Sequence, residues 1–146
     1  MLVAAQLLAI LVLGLVTVFS FSHFTADEGA HYSYVQSVAE DGHIPVLPGA
    51  LISPEAESIY EQVYPAPGRL DRARRALAGR SYEGFQPPLY YAVAAGPFLA
   101  AGGDHLLKLR AMRLLGLVLL LASAWLLWLL VRRVRRPPEQ ADRKST

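Results

Sequence analysis

The chain has 146 residues, of which 53% are hydrophobic and 18% charged, and its formal net charge is only +2. A mean hydropathy of +0.30 is too high for an ordinary soluble protein, and the basic residues fall into short local clusters, which argues against nucleic-acid binding. Because the sequence contains no cysteine, a disulfide framework and a thiolate metal site are excluded. We therefore expect an all-α membrane protein with one domain at most.

Residues 1–24 form the first apolar segment. They carry no charged side chain, and a helix of this length crosses the roughly 30 Å of bilayer hydrocarbon. A cleaved signal peptide would have a basic start and a shorter apolar core, so the pattern favours an uncleaved transmembrane helix. Cleavage near His23, which would leave a secreted loop with a carboxy-terminal anchor, is the alternative.

An acidic pair, Asp27 and Glu28, follows this segment directly. Thr25 and Glu28 have the spacing of a capping box, which predicts the start of a second helix, and Asp41-Gly42 predicts its end. The simplest interpretation of the pair is structural, because acids in a first turn interact favourably with the helix dipole. His31 lies one turn later on the same helical face, where it could bind a metal ion or form a catalytic acid–base pair with the acids. A hydrogen-bonded interfacial histidine is the simpler expectation.

The segment that follows is polar and rich in proline and glycine, and it predicts short surface helices. Ser53-Pro54-Glu55 predicts a helix that runs to about Tyr64. A second helix is expected over about 70–78, and the arginines between Arg69 and Arg80 predict a basic surface that faces solvent or lipid headgroups.

A proline-rich sequence, Gln86-Pro87-Pro88, precedes the next apolar segment, 92–101. The prolines predict an extended entry, with Pro88 at the first position of a helix. Because this segment is short and contains Gly96-Pro97, we expect a break there and a re-entrant or interfacial position.

The last long helix is predicted to begin near His105, with Asp104 as its cap. Its first turns carry three cations, and the run 114–131 is uncharged, which predicts a second transmembrane helix over 105–133 and a polar tail over 134–146. Arginines after Val131 place both termini in the cytoplasm by the positive-inside rule, and residues 25–104 outside. The three cations at the outer end indicate an anionic group such as a lipid phosphate; they are Lys108, Arg110 and Arg113.

Three motifs occur in a characteristic order. The first is the acidic pair after the first span, with His31 and Tyr32; the second is Gln86-Pro87-Pro88-Leu89-Tyr90-Tyr91; the third is Arg110 and Arg113 at the start of the second span. In this order the chain resembles the amino-terminal part of the GT-C class of membrane glycosyltransferases. That class includes protein O-mannosyltransferases and bacterial aminoarabinose or mannosyl transferases that use polyprenyl-phosphate sugars.

The resemblance implies roles for six residues. Asp27 would be the catalytic base that takes a proton from the acceptor hydroxyl, with Glu28 as a supporting acid. Substrate and lipid phosphate would be bound by Arg110, Arg113, His31 and Gln86. The donor would be a polyprenyl-phosphate sugar, and transfer would invert the anomeric centre. We assign no metal ligand from the sequence and leave a divalent cation open as a cofactor.

The resemblance covers only the opening part of such an enzyme, which carries many more spans. We therefore expect a truncated or split first module in a bacterial plasma membrane, inactive by itself, with a second polypeptide that supplies further spans. Two spans cannot enclose a lipid-linked donor in a dry, preorganised cavity. The alternative is a small non-enzymatic two-span protein whose outer loop binds a partner or anionic lipid.

Overall fold

The computed structural model describes residues 2–22, 24, 27–46, 49–63 and 81–134. Every regular element in these ranges is helical, as the sequence predicts. In chain order the α-helices are α1 (Leu2–Ser20), α2 (Glu28–Glu40), α3 (Pro54–Val63), α4 (Leu89–Ala100) and α5 (His105–Val134), and a 3-10 turn (Tyr82–Phe85) precedes α4. The predicted helix over 70–78, its arginines and the tail beyond Val134 lie outside the described residues.

Helices α1 and α5 are both long and apolar enough to cross a membrane. The most apolar part of α1, Val3–Ser20, has a mean hydropathy of 2.4, and the corresponding value for α5 is 2.6. The two helices pack against each other, and a methyl group added at Gly14 of α1 would overlap the side chain of Leu117 in α5. Their other faces expose leucine, valine and phenylalanine side chains.

Apart from the two long helices, the described part of the molecule is built around α2, which packs against α4, α3 and the 3-10 turn. These four elements are called the outer helices below because they precede or flank the start of α5. Tyr32 of α2 is fully buried between two other rings, with centroids 5.2 Å from that of Phe24 and 5.0 Å from that of Phe98. Leu109 and Met112 of α5 complete this core. Burial of these rings and aliphatic chains therefore attaches the outer helices to the amino-terminal end of α5.

The predicted cap of the last helix is confirmed. The Oδ1 atom of Asp104 accepts hydrogen bonds from the backbone N–H groups of Leu106 (2.8 Å) and Leu107 (3.1 Å). These bonds stabilise the carboxylate and lower the pKa of Asp104 below its ordinary value. The predicted start of α3 is also confirmed, since the helix begins at Pro54.

The start of α2 agrees with the prediction, but its capping box is not tested because Thr25 lies outside the described residues. Asp27 occupies the N-cap position without a side-chain capping hydrogen bond. Its backbone carbonyl accepts from the N–H groups of Ala30 (2.9 Å) and His31 (3.3 Å). The helix stops at Glu40, and Gly42 follows with a positive φ of 63°, the conformation that glycine adopts most readily.

Helix α4 differs from its prediction, because it continues through Pro97 and has no break there. Proline removes one backbone hydrogen bond, but the adjoining residues Ala94 and Phe98 are completely buried against the neighbouring helices, so packing holds the helix together. The opposite face is apolar and exposed, with Leu89 and Leu99 at its two ends. At about 18 Å the helix is too short to span a bilayer.

Candidate functional site

Three segments that are far apart in the sequence meet beside the first turns of α2. Asp27 and His31 come from the start of α2, Glu83 from the 3-10 turn, and Tyr91 from the first turn of α4. One carboxylate oxygen each from Asp27 and Glu83 and one ring nitrogen of His31 all lie within 4.8 Å of one another. The acidic motif and the sequence around Gln86-Pro87-Pro88 are thus parts of one cluster.

Glu83 is the buried member of this cluster, with only 2% of its side chain exposed. Tyr91 donates a hydrogen bond from its hydroxyl to Glu83 Oε2 at 3.0 Å. The turn that carries Glu83 is fixed at both ends: Ser81 Oγ accepts from the Glu83 N–H at 3.3 Å, and Gln86 donates its N–H to the Glu83 carbonyl at 2.8 Å. A carboxylate in this position has little freedom to move.

Tyr91 is held in place by its neighbours as well. Its ring stacks on that of Tyr34 with centroids 3.7 Å apart, and the Tyr34 hydroxyl donates to the backbone carbonyl of Gln86 at 3.3 Å. Burial and the adjacent Glu83 carboxylate raise the pKa of Tyr91 above its ordinary value, so its hydroxyl remains protonated at neutral pH. Tyr91 therefore acts in this cluster as a neutral hydrogen-bond donor and acceptor.

His31 lies between the buried and the open sides of the cluster. Its Nδ1 atom is 2.9 Å from the Tyr91 hydroxyl oxygen and 3.4 Å from Glu83 Oε2, while about a third of the side chain (36%) remains exposed. Asp27 is exposed. The interpretation of His31 as a hydrogen-bonded histidine agrees with these contacts. Of its two partners, Tyr91 belongs to the motif that the sequence singled out, whereas Glu83 does not.

The donor set of this cluster fits a divalent cation. Two carboxylates and an imidazole are the ligands that manganese and zinc accept, and Asp27, His31 and Glu83 could each offer one atom. Bound at Nδ1 of His31, a cation would displace the proton or hydrogen bond that now joins this nitrogen to Tyr91. Asp27 is the exposed member of this donor set.

Glu28 is directed away from the cluster and pairs with Arg113. Arg113 Nε donates to Glu28 Oε1 at 2.8 Å and Nη2 donates to Oε2 at 2.7 Å. A third bond runs from Arg113 Nη1 to the backbone carbonyl of Phe21 at 2.7 Å. A donor phosphate at Arg113 would thus have to share the guanidinium with Glu28, and phosphate binding by Arg113 stays a prediction.

Arg110 has different surroundings from Arg113, although the two residues lie one turn apart. Its guanidinium lies over the ring of Phe19 in α1, with Cζ 5.5 Å from the centroid. Its Nε atom is buried and has no hydrogen-bond acceptor among the described residues. Of the two arginines, Arg110 therefore retains a donor for an anionic ligand, and its predicted role in phosphate binding is likewise untested.

Lys108 contacts side chains of α2 and α3. It is buried, and its Nζ atom lies 2.8 Å from Glu40 Oε1 and 3.4 Å from Glu55 Oε2, above the ring of Phe98. Gln36 joins the two carboxylates by donating from Nε2 to each at 2.8 Å. The hydrogen bond from Lys108 lowers the pKa of Glu40 below its ordinary value.

Sequence reasoning missed Glu83, the contact of Tyr91 with His31, and the pairing of Lys108 with two carboxylates of this chain. The sequence carries a weak signal for Glu83, which lies three residues before Gln86 in a motif that was already singled out. No comparable signal exists for the pairing of Lys108 with Glu40 and Glu55. In comparisons with known proteins, no family model, curated protein or solved structure matches the chain.

Proposed function

We propose that this protein is the first module of a membrane glycosyltransferase that transfers a sugar from a polyprenyl-phosphate donor to a hydroxyl acceptor. The observation that supports the proposal best is the contact between the acidic motif and the Gln-Pro-Pro segment. His31 and Tyr91 are 60 residues apart in the sequence, yet Nδ1 of the first lies 2.9 Å from the hydroxyl of the second. Two of the motifs that carry the resemblance are therefore neighbours in space here.

In this proposal α1 and α5 cross the membrane and the outer helices lie on its extracytoplasmic side. Both termini are cytoplasmic, because the arginines that follow α5 favour that side. The cluster of Asp27, His31 and Glu83 then lies just outside the bilayer, close to the outer ends of both spans. This is the depth at which the phosphate of a lipid-linked sugar would be found, with its polyprenyl chain among the spans.

Asp27 is the proton acceptor in the proposed reaction. The acceptor hydroxyl loses its proton to the Asp27 carboxylate, its oxygen forms a bond to the anomeric carbon, and the bond from that carbon to the phosphate oxygen breaks. The phosphate leaves with the electron pair, and the anomeric centre is inverted. Asp27 suits this role because it is exposed on the open side of the cluster, whereas Glu83 is buried.

The remaining residues have supporting roles. Glu28 holds Arg113, which ties the start of α2 to α5. Arg110 offers its Nε–H to the donor phosphate. If a divalent cation takes part, Asp27, His31 and Glu83 would hold it and it would stabilise negative charge on the leaving phosphate. Further spans, supplied by a longer chain or a second polypeptide, are needed to exclude water from the reacting atoms.

The proposal is tested by measuring sugar transfer in membranes from cells that express the protein together with its flanking coding sequence. A panel of radiolabelled polyprenyl-phosphate sugars serves as donors, and label is followed into hydroxyl-bearing lipid and protein acceptors. We expect transfer from one donor with the wild-type chain and its loss in Asp27→Asn. The matched control is Asp41→Asn, an exposed aspartate at the other end of α2. No transfer from any donor would contradict the proposal.

A non-enzymatic role is the second candidate, and the exposed apolar face of α4 favours it. Leu89 and Leu99 are 75% and 54% exposed, and the face between them has no polar side chain, which suits contact with a partner protein or lipid. A stable partner captured by the wild type and lost in Leu89→Asn, together with an unaltered phenotype of Asp27→Asn, would favour this role over transfer.

A further inference from the structure

The junction between the 3-10 turn and α4 leaves an uncharged, mostly apolar surface exposed. We call this junction, residues 85–89, the tip; it consists of Phe85, Gln86, Pro87, Pro88 and Leu89. Leu89 is 75% exposed and Phe85 is 64% exposed, and both prolines are exposed as well. The sequence has no charged side chain between Glu83 and Asp104. A contiguous apolar surface of this kind marks a site of contact with a protein or a membrane.

Two contacts show which end of α4 lies beside the start of α5. In the last turn of α4, the Phe98 ring has the Nζ atom of Lys108 4.7 Å from its centroid. In the first turn of α4, the Tyr91 hydroxyl lies 2.9 Å from Nδ1 of His31 in α2. The end of α4 thus lies beside the first turn of α5, whereas the start of α4 lies beside the start of α2.

The start of α2 is tied to a later turn of α5. Glu28 accepts two hydrogen bonds from Arg113, at 2.8 and 2.7 Å, and the uncharged run of α5 begins at the next residue, Leu114. Leu115, within that run, packs against the same core as Tyr91. Along the axis of α5, the start of α4 and the tip are therefore nearer to the uncharged run than the end of α4 is.

We propose that the tip is inserted among the acyl chains of the adjacent membrane leaflet, so that α4 enters the bilayer by its amino-terminal end. The inference rests on α1 and α5 crossing a bilayer, as proposed above, and it does not depend on sugar transfer. The occupant of this apolar surface is lipid hydrocarbon. Insertion at this point would hold Glu83 and Tyr91, which flank the tip, close to the depth of the lipid headgroups.

The backbone of the tip suits a medium without water, where every N–H and carbonyl group needs a partner within the protein. Pro87 and Pro88 have no N–H group. The N–H of Gln86 donates to the carbonyl of Glu83 at 2.8 Å. The carbonyl of Gln86 accepts from the Tyr34 hydroxyl at 3.3 Å, and the carbonyl of Pro88 accepts from the N–H of Ala92 at 2.9 Å. These three residues therefore present no free backbone donor to the lipid.

The surroundings of the tip favour lipid over a protein partner. The exposed leucine, valine and phenylalanine side chains of α1 and α5 would be covered by acyl chains in the proposed arrangement, and the tip continues that apolar surface at its outer end. Tyr90 and Tyr91 follow the tip directly, and tyrosine is enriched where a membrane meets water. Gln86, the one polar side chain of the tip, is half-buried.

The depth of the tip is measured by electron paramagnetic resonance on the full chain in phospholipid vesicles. Because the sequence has no cysteine, a nitroxide is attached to a single introduced cysteine at Leu89 or at Leu99, an exposed leucine at the other end of α4. Collisions are compared for oxygen, which concentrates in hydrocarbon, and for a water-soluble nickel chelate. Labels at the exposed residues Ala122, in the middle of the uncharged run, and Asp41 are the references for hydrocarbon and water.

We expect the ratio of oxygen to nickel collisions at Leu89→Cys to be close to that at Ala122→Cys and several-fold higher than that at Leu99→Cys. A second set of chains carries the label at Phe85→Cys. Adding Leu89→Asp should lower the ratio at this label, because a carboxylate resists entry into hydrocarbon. Adding Leu99→Asp is the matched control and should leave the ratio unchanged.

An aqueous ratio at Leu89→Cys beside a hydrocarbon ratio at Ala122→Cys would overturn the inference. Equal ratios at Leu89→Cys and Leu99→Cys would do the same, because they would mean that α4 lies flat on the membrane, and so would a Phe85→Cys label that ignores Leu89→Asp. Line broadening at Leu89→Cys that disappears on dilution with unlabelled chain would assign the tip to a second copy of the chain.

The membrane arrangement and the proposed reaction are tested separately from the tip. An aqueous ratio at Ala122→Cys would contradict the crossing of α5 and this inference together. Sugar transfer does not enter any of these measurements, so a tip at hydrocarbon depth together with normal transfer in Asp27→Asn would contradict the proposed reaction alone.

Discussion

Arg113 donates two parallel hydrogen bonds to the two carboxylate oxygens of Glu28, at 2.8 and 2.7 Å. This pair joins the first turn of α2 to the apolar helix α5 near the amino-terminal end of that helix. Its planar, two-bond geometry is specific to arginine. It also separates the two neighbouring acids, because Glu28 takes a structural partner while Asp27 lies at the His31 cluster.

Replacing Arg113 with lysine should destabilise the outer helices, because lysine cannot form the two-bond pair and leaves the carboxylate of Glu28 incompletely satisfied. We expect a loss of about 1–3 kcal/mol in the free energy of unfolding, measured as a lower midpoint in thermal unfolding of the chain in detergent micelles. Arg110→Lys is the control, since Arg110 has no part in this pair. Equal midpoints for Arg113→Lys and the wild type would show that this pair does not stabilise the fold.

The pair of Lys108 and Glu40 should make the stability of the fold depend on pH. Its hydrogen bond lowers the pKa of Glu40 in the folded protein, so this pair stabilises the fold above the unfolded pKa of about 4.3. That stability is lost as the pH falls through the lower, folded pKa. Lys108→Met should therefore lower the free energy of unfolding at neutral pH. As the pH becomes acidic, this free energy should fall less steeply in the variant than in the wild type.

The measurement for this pair is the unfolding midpoint across a pH series, compared with Glu40→Gln. Both variants should show the same flattened dependence, because each removes one member of the pair. A Lys108→Met curve that is displaced but parallel to that of the wild type would mean that the titration of Glu40 is not coupled to Lys108.

The contact between α1 and α5 depends on the absence of a side chain at Gly14. Gly14→Val should separate the helices, because its side chain would overlap Leu117, at a cost of about 1–3 kcal/mol. Leu117→Ala in the same chain should restore much of the loss by removing the obstruction. Gly116→Val is the control, since nothing lies close to that position. Destabilisation by Gly14→Val that Leu117→Ala leaves unchanged would argue against this contact.

The orientation in the membrane is testable because the natural sequence has no cysteine. Single cysteines are introduced at Asp41, between α2 and α3, and at Ser145, near the carboxyl terminus. A membrane-impermeant maleimide should label Asp41→Cys in intact cells and Ser145→Cys only after permeabilisation. The reverse pattern would invert the topology and put the cluster on the cytoplasmic side.

The long elements could be predicted from the sequence because their signals are local. An uncharged run identified α1 and α5, Asp104 was recognised as a cap from its position before a helical segment, and Pro54 marked the start of α3. These features depend on side chains within one or two helical turns, so one stretch of sequence contains all the information that they require.

The site and the course of α4 could be predicted only in part because they depend on contacts between distant segments. His31 was a candidate, but its partners Glu83 and Tyr91 become neighbours only when α2 packs against α4. Helix α4 continues through Pro97 because burial of Phe98 compensates for a missing backbone hydrogen bond. Helix propensity read from the local sequence takes no account of such burial. The same limit applies to Lys108, whose carboxylate partners lie more than 50 residues away.

The most direct test of the central claim is the rate of sugar transfer by Asp27→Asn relative to the wild type, in membranes that contain the complete enzyme. General-base catalysis contributes roughly 10²–10⁴-fold, so we predict a loss of at least about 100-fold, with Asp41→Asn transferring at the wild-type rate. Asparagine keeps the size of the side chain and leaves the Glu28–Arg113 pair in place, so a loss would reflect the missing proton acceptor. Transfer by Asp27→Asn at the wild-type rate would contradict the claim.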